Sequence, residues 1–470
     1  MSDQLGALTT IFTETYYWIT VVFMFLIHVG FCMYEVGASR TKNMMHTLMK
    51  NTMVIPLVTV TFFYFGWWIY FAWPNGPGIT GGIISAPWAT PWSELMGAHM
   101  GGKPIQSTLT ADDTMAWARI NGVFWAAFLL FSWTAASIVS GAVIERIRSF
   151  AFWILAVVIG SFTWIIDAAW GWSAAGWMVQ LLGYHDAYAS GVIHAIAGGF
   201  ALGVLVHLGP RIGKFRADGT PRNIVPHNPW LVTIGLFLIY TGFWGFYVAC
   251  NIPIFDIGPA AGMSEPFWST TNIYLAPTTT SAITLNFLMS LSGGMMTGYV
   301  ISKGDAYWTY SAGLAGVIAA SAGNDLYHPI QAMIIGGLGV VFMYKMHFWV
   351  ERRFKIDDAV GAVAVHGYAG WFGVVICGFV LWGYPSSMTA GYAHVTPWGQ
   401  FIGAWIMFGV LGFIPAWIVA GILKAMGMLR IPERVEIAGL DLSEFHGRYL
   451  DEADVYEAEK EEARRRGLIA

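Results

Sequence analysis

Charge is what this chain has least of. Of its 470 residues only 11% are Asp, Glu, Lys or Arg, against about a quarter in an ordinary soluble domain. Twenty-four basic and 28 acidic side chains cannot cover the surface of a soluble protein this long. A soluble globular enzyme and a disordered chain are therefore excluded. So is a nucleic-acid binder, which needs a basic stripe. The net charge of −4 points to no polyanionic or polycationic partner. Cysteine is scarce as well. Cys32, Cys250 and Cys377 form an odd, widely spaced set in or beside apolar runs, which is neither a disulfide framework nor a zinc motif. The opening MSDQLGALTTIFTE has no basic segment before its apolar run, so no cleavable signal peptide is expected. HExxH, CxxCH, GxSxG, Walker and strand-borne GxGxxG patterns are missing too. Neither an enzyme nor a metal or cofactor site is expected.

What is present is apolar. Hydrophobic residues make up 56% of the chain, with 24 Trp, 55 Gly and 22 Met. Trp favours membrane interfaces, and Gly is commoner in membrane helices than in soluble ones. Windows of about 20 apolar residues mark bilayer spans. Eleven are expected, near 15–37, 51–73, 120–143, 150–173, 188–208, 229–250, 273–302, 308–323, 329–348, 359–383 and 397–423. The fold class is thus an all-α polytopic membrane protein. The seventh window is long and the eighth short.

The basic residues orient it. Alternate connections hold Arg40, Lys42 and Lys50; Arg146 and Arg148; Arg211, Lys214, Arg216 and Arg222; Lys303; Lys345, Arg352, Arg353 and Lys355; and the tail after residue 423. Together they take 22 of the 24 basic residues, leaving only Lys103 and Arg119 to the other side. The positive-inside rule makes the richer side cytoplasmic. The N-terminus is then outside, the C-terminus inside, and the number of spans odd. The domain expected is a transmembrane body over 1–428 with a cytoplasmic tail at 429–470. The outer connection 74–119 is long and rich in Gly, Pro and Trp, and loops of that length are functional or disordered. In the tail, 451–467 reads as a helix with Glu457, Glu461 and Arg465 at i, i+4 steps. A solvated helix is the plainer reading and a docking tail the functional one.

An internal repeat singles out two histidines. Residues 192–200 read VIHAIAGGF and 364–372 read AVHGYAGWF. Each His is followed by Ala at +3, Gly at +4 and Phe at +6. Each is preceded by an Asp at −8: Asp186 before His194, and Asp358 before His366. These are the fifth and tenth spans, which run in opposite directions. An inverted repeat of five plus five spans follows, with halves at about 15–208 and 229–383 and an eleventh helix at 397–423. Such repeats put the functional site at their interface near the midplane. A lone His in a span can simply bond a neighbouring helix. Two in matching positions point to an ion pathway or proton relay. The small residues one turn onward would leave room for the rings or a lumen. Asp186 and Asp358 read first as helix caps.

These residues resemble the ammonium transporter family (Amt/Mep/Rh) along nearly the whole chain. The segments carrying the resemblance are Gly30–Gly37 with Arg40–Asn43 and Leu48–Asn51, Gly141–Arg148, Asp186 with His194, Asp357 and Asp358 with His366 and Gly367, and Gly439–Asp441 before His446–Gly447. The resemblance implies a homotrimer in the cell (inner) membrane, with one narrow hydrophobic pore per subunit. Ammonium would be captured at an outer aromatic vestibule, lose its proton, and pass as ammonia through a phenylalanine gate and the histidine pair. It matches Phe131 and Phe246 to the gate, Trp170 to the vestibule tryptophan, and Cys250 to a serine beside it. It assigns Asp186, Asp358 and Asp357 to structural or deprotonation support. Taken singly, each of these aromatics reads as helix packing.

The chain also departs from that pattern. The vestibule phenylalanine aligns with Ala127, where Phe128 or Phe124 could substitute. Tyr247 replaces an Asn, and Asp167 stands unexpectedly one turn from Trp170. Asp167 would draw cations to the mouth; the plainer reading is an interfacial Asp bonded to backbone. Beyond ammonium and membrane lipid, the partner implied is a PII-class nitrogen regulator at the tail. The competing functions are an ammonium sensor signalling through that tail, and a related pore for methylammonium or another small neutral molecule.

Overall fold

The computed structural model describes residues 2–76, 78–93, 96, 99–100, 103–104, 113–254, 269–445 and 461–467. Much of the outer connection, the His446–Gly447 pair and most of the expected tail helix lie outside them.

Among the described residues, nine helical segments are long and apolar enough to cross a membrane. In chain order they are α1 (Thr10–Ala38), α2 (Thr41–Ala72), α3 (Ile120–Ala142), α4 (Ser149–Gly171), α5 (Ser190–Leu208), α6 (Pro229–Ala249), α9 (Pro329–Phe354), α10 (Val363–Val380) and α11 (Pro397–Ala425). Two further helices fill the gap, α7 (Thr280–Ile301) and α8 (Ala306–Ala320). They stand at the seventh and eighth expected spans but fall outside the nine. α7 is diluted by Thr, Ser, Asn and Gly, and α8 has only 15 residues. α7 also starts later than its apolar window. Residues 269–278 instead pair as strands Ser269–Asn272 and Pro277–Thr278 beside Asn251–Ile254.

The helix starts are written in the sequence. Asn228, Thr279, Asp305 and Thr396 each accept a backbone N–H from the first turn of the helix that follows. His328 and Gln331 close a reciprocal capping box. Pro occupies the first turn of α6, α9 and α11, where its missing N–H costs nothing. Large apolar side chains such as Val300, Phe379, Trp398 and Ile422 remain exposed. A helix apolar on all sides belongs in lipid.

Backbones approach closely where the helices of the two expected halves meet. α1 lies against α6, where a Cβ on Gly30 would come within 2.6 Å of the Gly235 carbonyl oxygen. α5 crosses α10 at Gly198 and Gly367, where a Cβ on Gly198 would sit 2.1 Å from the Gly367 Cα. The small residues after each histidine therefore bring backbones together rather than open a lumen. This is the small-residue packing of membrane helices.

One end of the bundle is tied by charge. Glu145 accepts from the Arg40 Nε at 3.0 Å and the Arg211 Nη1 at 3.1 Å. Asp357 accepts from the Arg211 Nε at 2.8 Å and Nη2 at 3.0 Å, and its carbonyl from the Arg146 Nη2. Asp357 is thus clamped at this end of the bundle by two guanidinium groups. Burial alone would raise its pKa, but Arg211 and Arg146 hold it well below the usual carboxylate range. The tail docks on the same end through two short helices, α12 (Glu433–Ala438) and α13 (Leu440–Phe445). Asp441 accepts the backbone N–H of Met45 and His46 at 3.0 and 2.8 Å. Lys42 donates to the Glu436 and Ile437 carbonyls. Further on, Glu462 pairs with exposed Arg465 and Arg466 as in a solvated helix.

Removing one partner of a buried ion pair costs about 3–5 kcal/mol. Asp357→Asn is therefore expected to lower thermal stability at neutral pH. Because the folded carboxyl titrates below the unfolded one at about 3.9, the charge stabilises above that pH and its contribution fades below it. Melting curves of both proteins should differ by a constant amount above about pH 5, and the difference should shrink progressively as the pH falls below about 4.

Candidate functional site

Both histidine helices begin with a widened turn. Ser190–Ala195 and Val363–Tyr368 are π-helical, a feature that often marks functional sites. Each turn is capped by the Asp eight residues before its His. The Asp186 Oδ2 accepts the N–H of Gly191 at 2.8 Å and of Val192 at 2.9 Å, with the Tyr184 hydroxyl at 3.2 Å. Burial pushes this carboxyl up to about 6, against the pull of those donors. The Asp358 Oδ2 accepts the Ala364 N–H at 3.2 Å. The His347 Nδ1 lies 3.8 Å from the same oxygen.

The caps and the glycine crossing bring the two imidazoles face to face. The His194 Nδ1 and the His366 Nδ1 are 3.0 Å apart. The ring centroids are separated by 5.1 Å, and both residues are buried. One nitrogen donates and the other accepts. The His194 Nε2 has no hydrogen-bond partner among the described residues.

An aromatic stack covers His194. Phe246 and Phe243 lie flat against it at 5.6 and 5.7 Å. Phe131 meets Phe246 edge-on at 4.7 Å. The two expected gate residues are therefore in contact with each other, and Phe246 with the first histidine. Beyond Phe131 the stack continues to Trp172 at 4.9 Å and Phe128 at 6.0 Å. Phe128 in turn meets Tyr70 and Phe124 at 4.7 and 4.8 Å. The expected substitute for the missing phenylalanine thus faces the gate.

Three expected residues lie elsewhere. Trp170 is partly exposed and packs on Trp177 at 5.8 Å; it is Trp172 that reaches the gate. The helix carrying Trp170 ends at Gly171. Trp172 folds back past that end, its indole N–H donating to the Asp186 carbonyl at 2.9 Å. Cys250 is buried, and its thiol is spent on the Phe246 carbonyl at 3.2 Å. Asp167 is fully buried within α4, with neither oxygen bonded among the described residues. It is not on a mouth surface, nor is it bonded to backbone. Sequence reasoning missed Trp172 and Phe243. The three-residue step from Phe243 to Phe246 was the available signal for the second.

A single track of buried rings, ending on a bonded imidazole pair, is therefore the centre of the molecule. The model of the Ammonium Transporter Family matches residues 15–449. The chain belongs to that family. Among curated members of the Ammonium Transporter Family, Amt2 of Methanocaldococcus jannaschii is 31% identical over 432 residues, covering 90% of this chain and 87% of that protein. Amt2 of Archaeoglobus fulgidus is 28% identical, covering 88% and 83%. Both are ammonium transporters by name. Among solved structures, a sensor Amt protein superposes with a TM-score of 0.71 at 22% identity, covering 93% of this chain and 99% of that one. The Rh50 protein of Nitrosomonas europaea superposes at 0.59 and 20%, covering 97% and 99%. These likenesses establish the membrane-channel fold of the Ammonium Transporter Family. Among the described residues no cluster of His, Cys, Asp and Glu could hold a metal.

Because Trp172 alone of the two tryptophans holds a buried hydrogen bond, substitutions should separate them. Trp172→Phe is expected to lose about 1 kcal/mol, and Trp170→Phe to change stability negligibly. Thermal unfolding of each in detergent is the check.

Proposed function

We propose that this chain is a homotrimeric ammonium transporter of the cytoplasmic (inner) membrane. It has eleven spans, the N-terminus outside and the tail inside. The observation that carries the reading is the Nδ1-to-Nδ1 contact of His194 and His366 at 3.0 Å, directly beneath the Phe131–Phe246 contact.

The physics favours a neutral passenger. A bare cation in a low-dielectric passage costs many kcal/mol, about tens by Born solvation. The aromatic rim of Trp172, Phe128 and Tyr70 offsets about 0.5–2 kcal/mol of that by cation–π attraction, enough to gather ammonium but not to carry it through. Ammonium passes its proton to water on the outer side of the rings and continues as ammonia. The passenger then needs only hydrogen-bonding groups of no fixed charge, which two neutral imidazoles supply. A potassium ion cannot shed a proton and is turned back. The vestibule role passes from Trp170 to Trp172, and Asp167 has no part in recruitment. Asp186 supports the site by fixing the start of α5, and Asp358 does so for α10. The docked tail, residues 429–445, is the surface a PII-class regulator would meet.

In proteoliposomes, His194→Ala and His366→Ala are each expected to cut ammonium flux by about tenfold or more, a loss of about 1.4 kcal/mol of stabilisation. Identical conduction by both variants and the wild type would overturn the twin-histidine route. A wild type that binds ammonium without flux would favour the sensor reading. In the same assay Trp172→Leu should raise the outer-face KM by several-fold, on the order of the cation–π term. Asp167→Asn should leave that KM unchanged.

A further inference from the structure

A second ionisable pair lies on the far side of His366 from the aromatic stack. Glu35 on α1 and Lys50 on α2 are both fully buried. The Lys50 Nζ is 3.5 Å from the Glu35 Oε2 and donates to the Ser140 carbonyl at 2.8 Å. The Glu35 Oε2 also accepts from the Asn51 amide at 2.9 Å and the Ser140 hydroxyl at 2.6 Å. The other oxygen, Oε1, has no partner among the described residues. An unmade bond to a buried charged group costs more than about 1–3 kcal/mol, which a ligand donating to this oxygen would recover.

That oxygen has a direction. It faces Gly141, where an added Cβ would lie 3.5 Å from it and 2.6 Å from a Val360 methyl. Glu35, Gly141, Val360 and His366 line one cavity of about 20 Å³. This is room for about one water-sized molecule. Its remaining wall is mostly apolar, including Phe31 and Leu236. Tyr34 lines it too, and its hydroxyl bonds that of Tyr307. Tyr307 lines the next and larger cavity, with Arg211, Lys214 and His347. The small chamber thus runs from an imidazole to a carboxylate oxygen and is closed by a pair of tyrosines.

We propose that the Glu35 Oε1, aimed into the chamber below His366, is an inner binding site for ammonium. The proposal rests on the transport reading above and adds the group that meets the substrate after the histidines. An ammonium ion entering from the inner face donates an N–H to Oε1 and shares the carboxylate's charge with Lys50. Ammonia donates the same bond without the charge. No covalent bond changes in this step. Lys50 is a positioning residue. It holds Oε2, so that Oε1 points inward, and it balances the carboxylate so that the chamber carries no net charge when vacant. An alkali ion finds a single carboxylate oxygen here and otherwise mainly apolar walls.

Two measurements test this. Glu35→Gln keeps the shape and removes the charge, but strands Lys50. The charge-balanced Glu35→Gln/Lys50→Met variant accompanies it, and whichever folds as judged by gel filtration is used. In right-side-out membrane vesicles, efflux reads the inner face and influx the outer. The variant is expected to raise the efflux KM for ammonium by about tenfold, the size of a lost charge-assisted hydrogen bond, with the influx KM within about twofold of wild type. Equal shifts on both faces, or none, would overturn the proposal. Second, infrared difference spectra in ammonium against sodium chloride should show a carboxylate band change that the variant lacks. The same band in both proteins would overturn it independently of flux. A wild type that moves no ammonium yet shows the Glu35 band refutes the transport reading and leaves the inner site standing.

Discussion

Everything in the centre of this molecule depends on two backbones touching. α5 and α10 cross at Gly198 and Gly367 with no side chain between them. Only that approach puts the Nδ1 atoms of His194 and His366 at hydrogen-bond distance. The widened turns carrying the histidines start from carboxylate caps, so each ring is set by an Asp two turns earlier. The phenylalanines then have a fixed surface to stack on. Polar residues deep in a bilayer persist only when function or pairing requires them. Here a few are arranged along one line, and the aromatic rings around them exclude water.

The two ends of that line are built differently. On the gate side, quadrupoles of Trp172, Phe131 and Phe128 offer weak attraction without charge. On the other side the chain uses full charges, but each is set against one of opposite sign. Glu35 is matched by Lys50, and Glu145 with Asp357 by Arg40, Arg146 and Arg211. The tail contacts at Asp441, Lys42 and Glu436 extend this network to residues 433–445. Charge scarcity is thus not uniform: the track itself has little, and its flank concentrates it.

Much of this was legible before any coordinates. Apolar windows place all nine spans and most of their ends to within a few residues, because the lack of water favours a helix on an apolar stretch; α2 begins well before its window, at Thr41, and α9 runs past its own to Phe354. The paired Asp-to-His spacing gave the imidazoles and their caps. Phe131 and Phe246 followed from family resemblance. Other features were hidden for physical reasons. Trp170 and Trp172 flank one glycine, and which of them faces the gate depends on where the helix stops. Asp167 reads as a mouth residue until its helix face is known, since helical phase and not sequence distance from Trp170 decides burial. Glu35 looked like part of a signature. Its free oxygen becomes visible only once Lys50, Asn51 and Ser140 are seen to occupy the other. Docking of the tail was equally hidden, because a carboxylate such as Asp441 looks the same in solvent as on the N–H groups of Met45 and His46.

The contact between the two Nδ1 atoms has one more consequence. Two equivalent nitrogens share a single proton, so a pair related by an inverted repeat cannot itself be symmetric. When His194 donates, its outer nitrogen is bare and that of His366 bears hydrogen; when His366 donates, the reverse holds. The site therefore has a polarity that the fold does not impose. Shifting hydrogens among four ring nitrogens reverses it, without moving a helix.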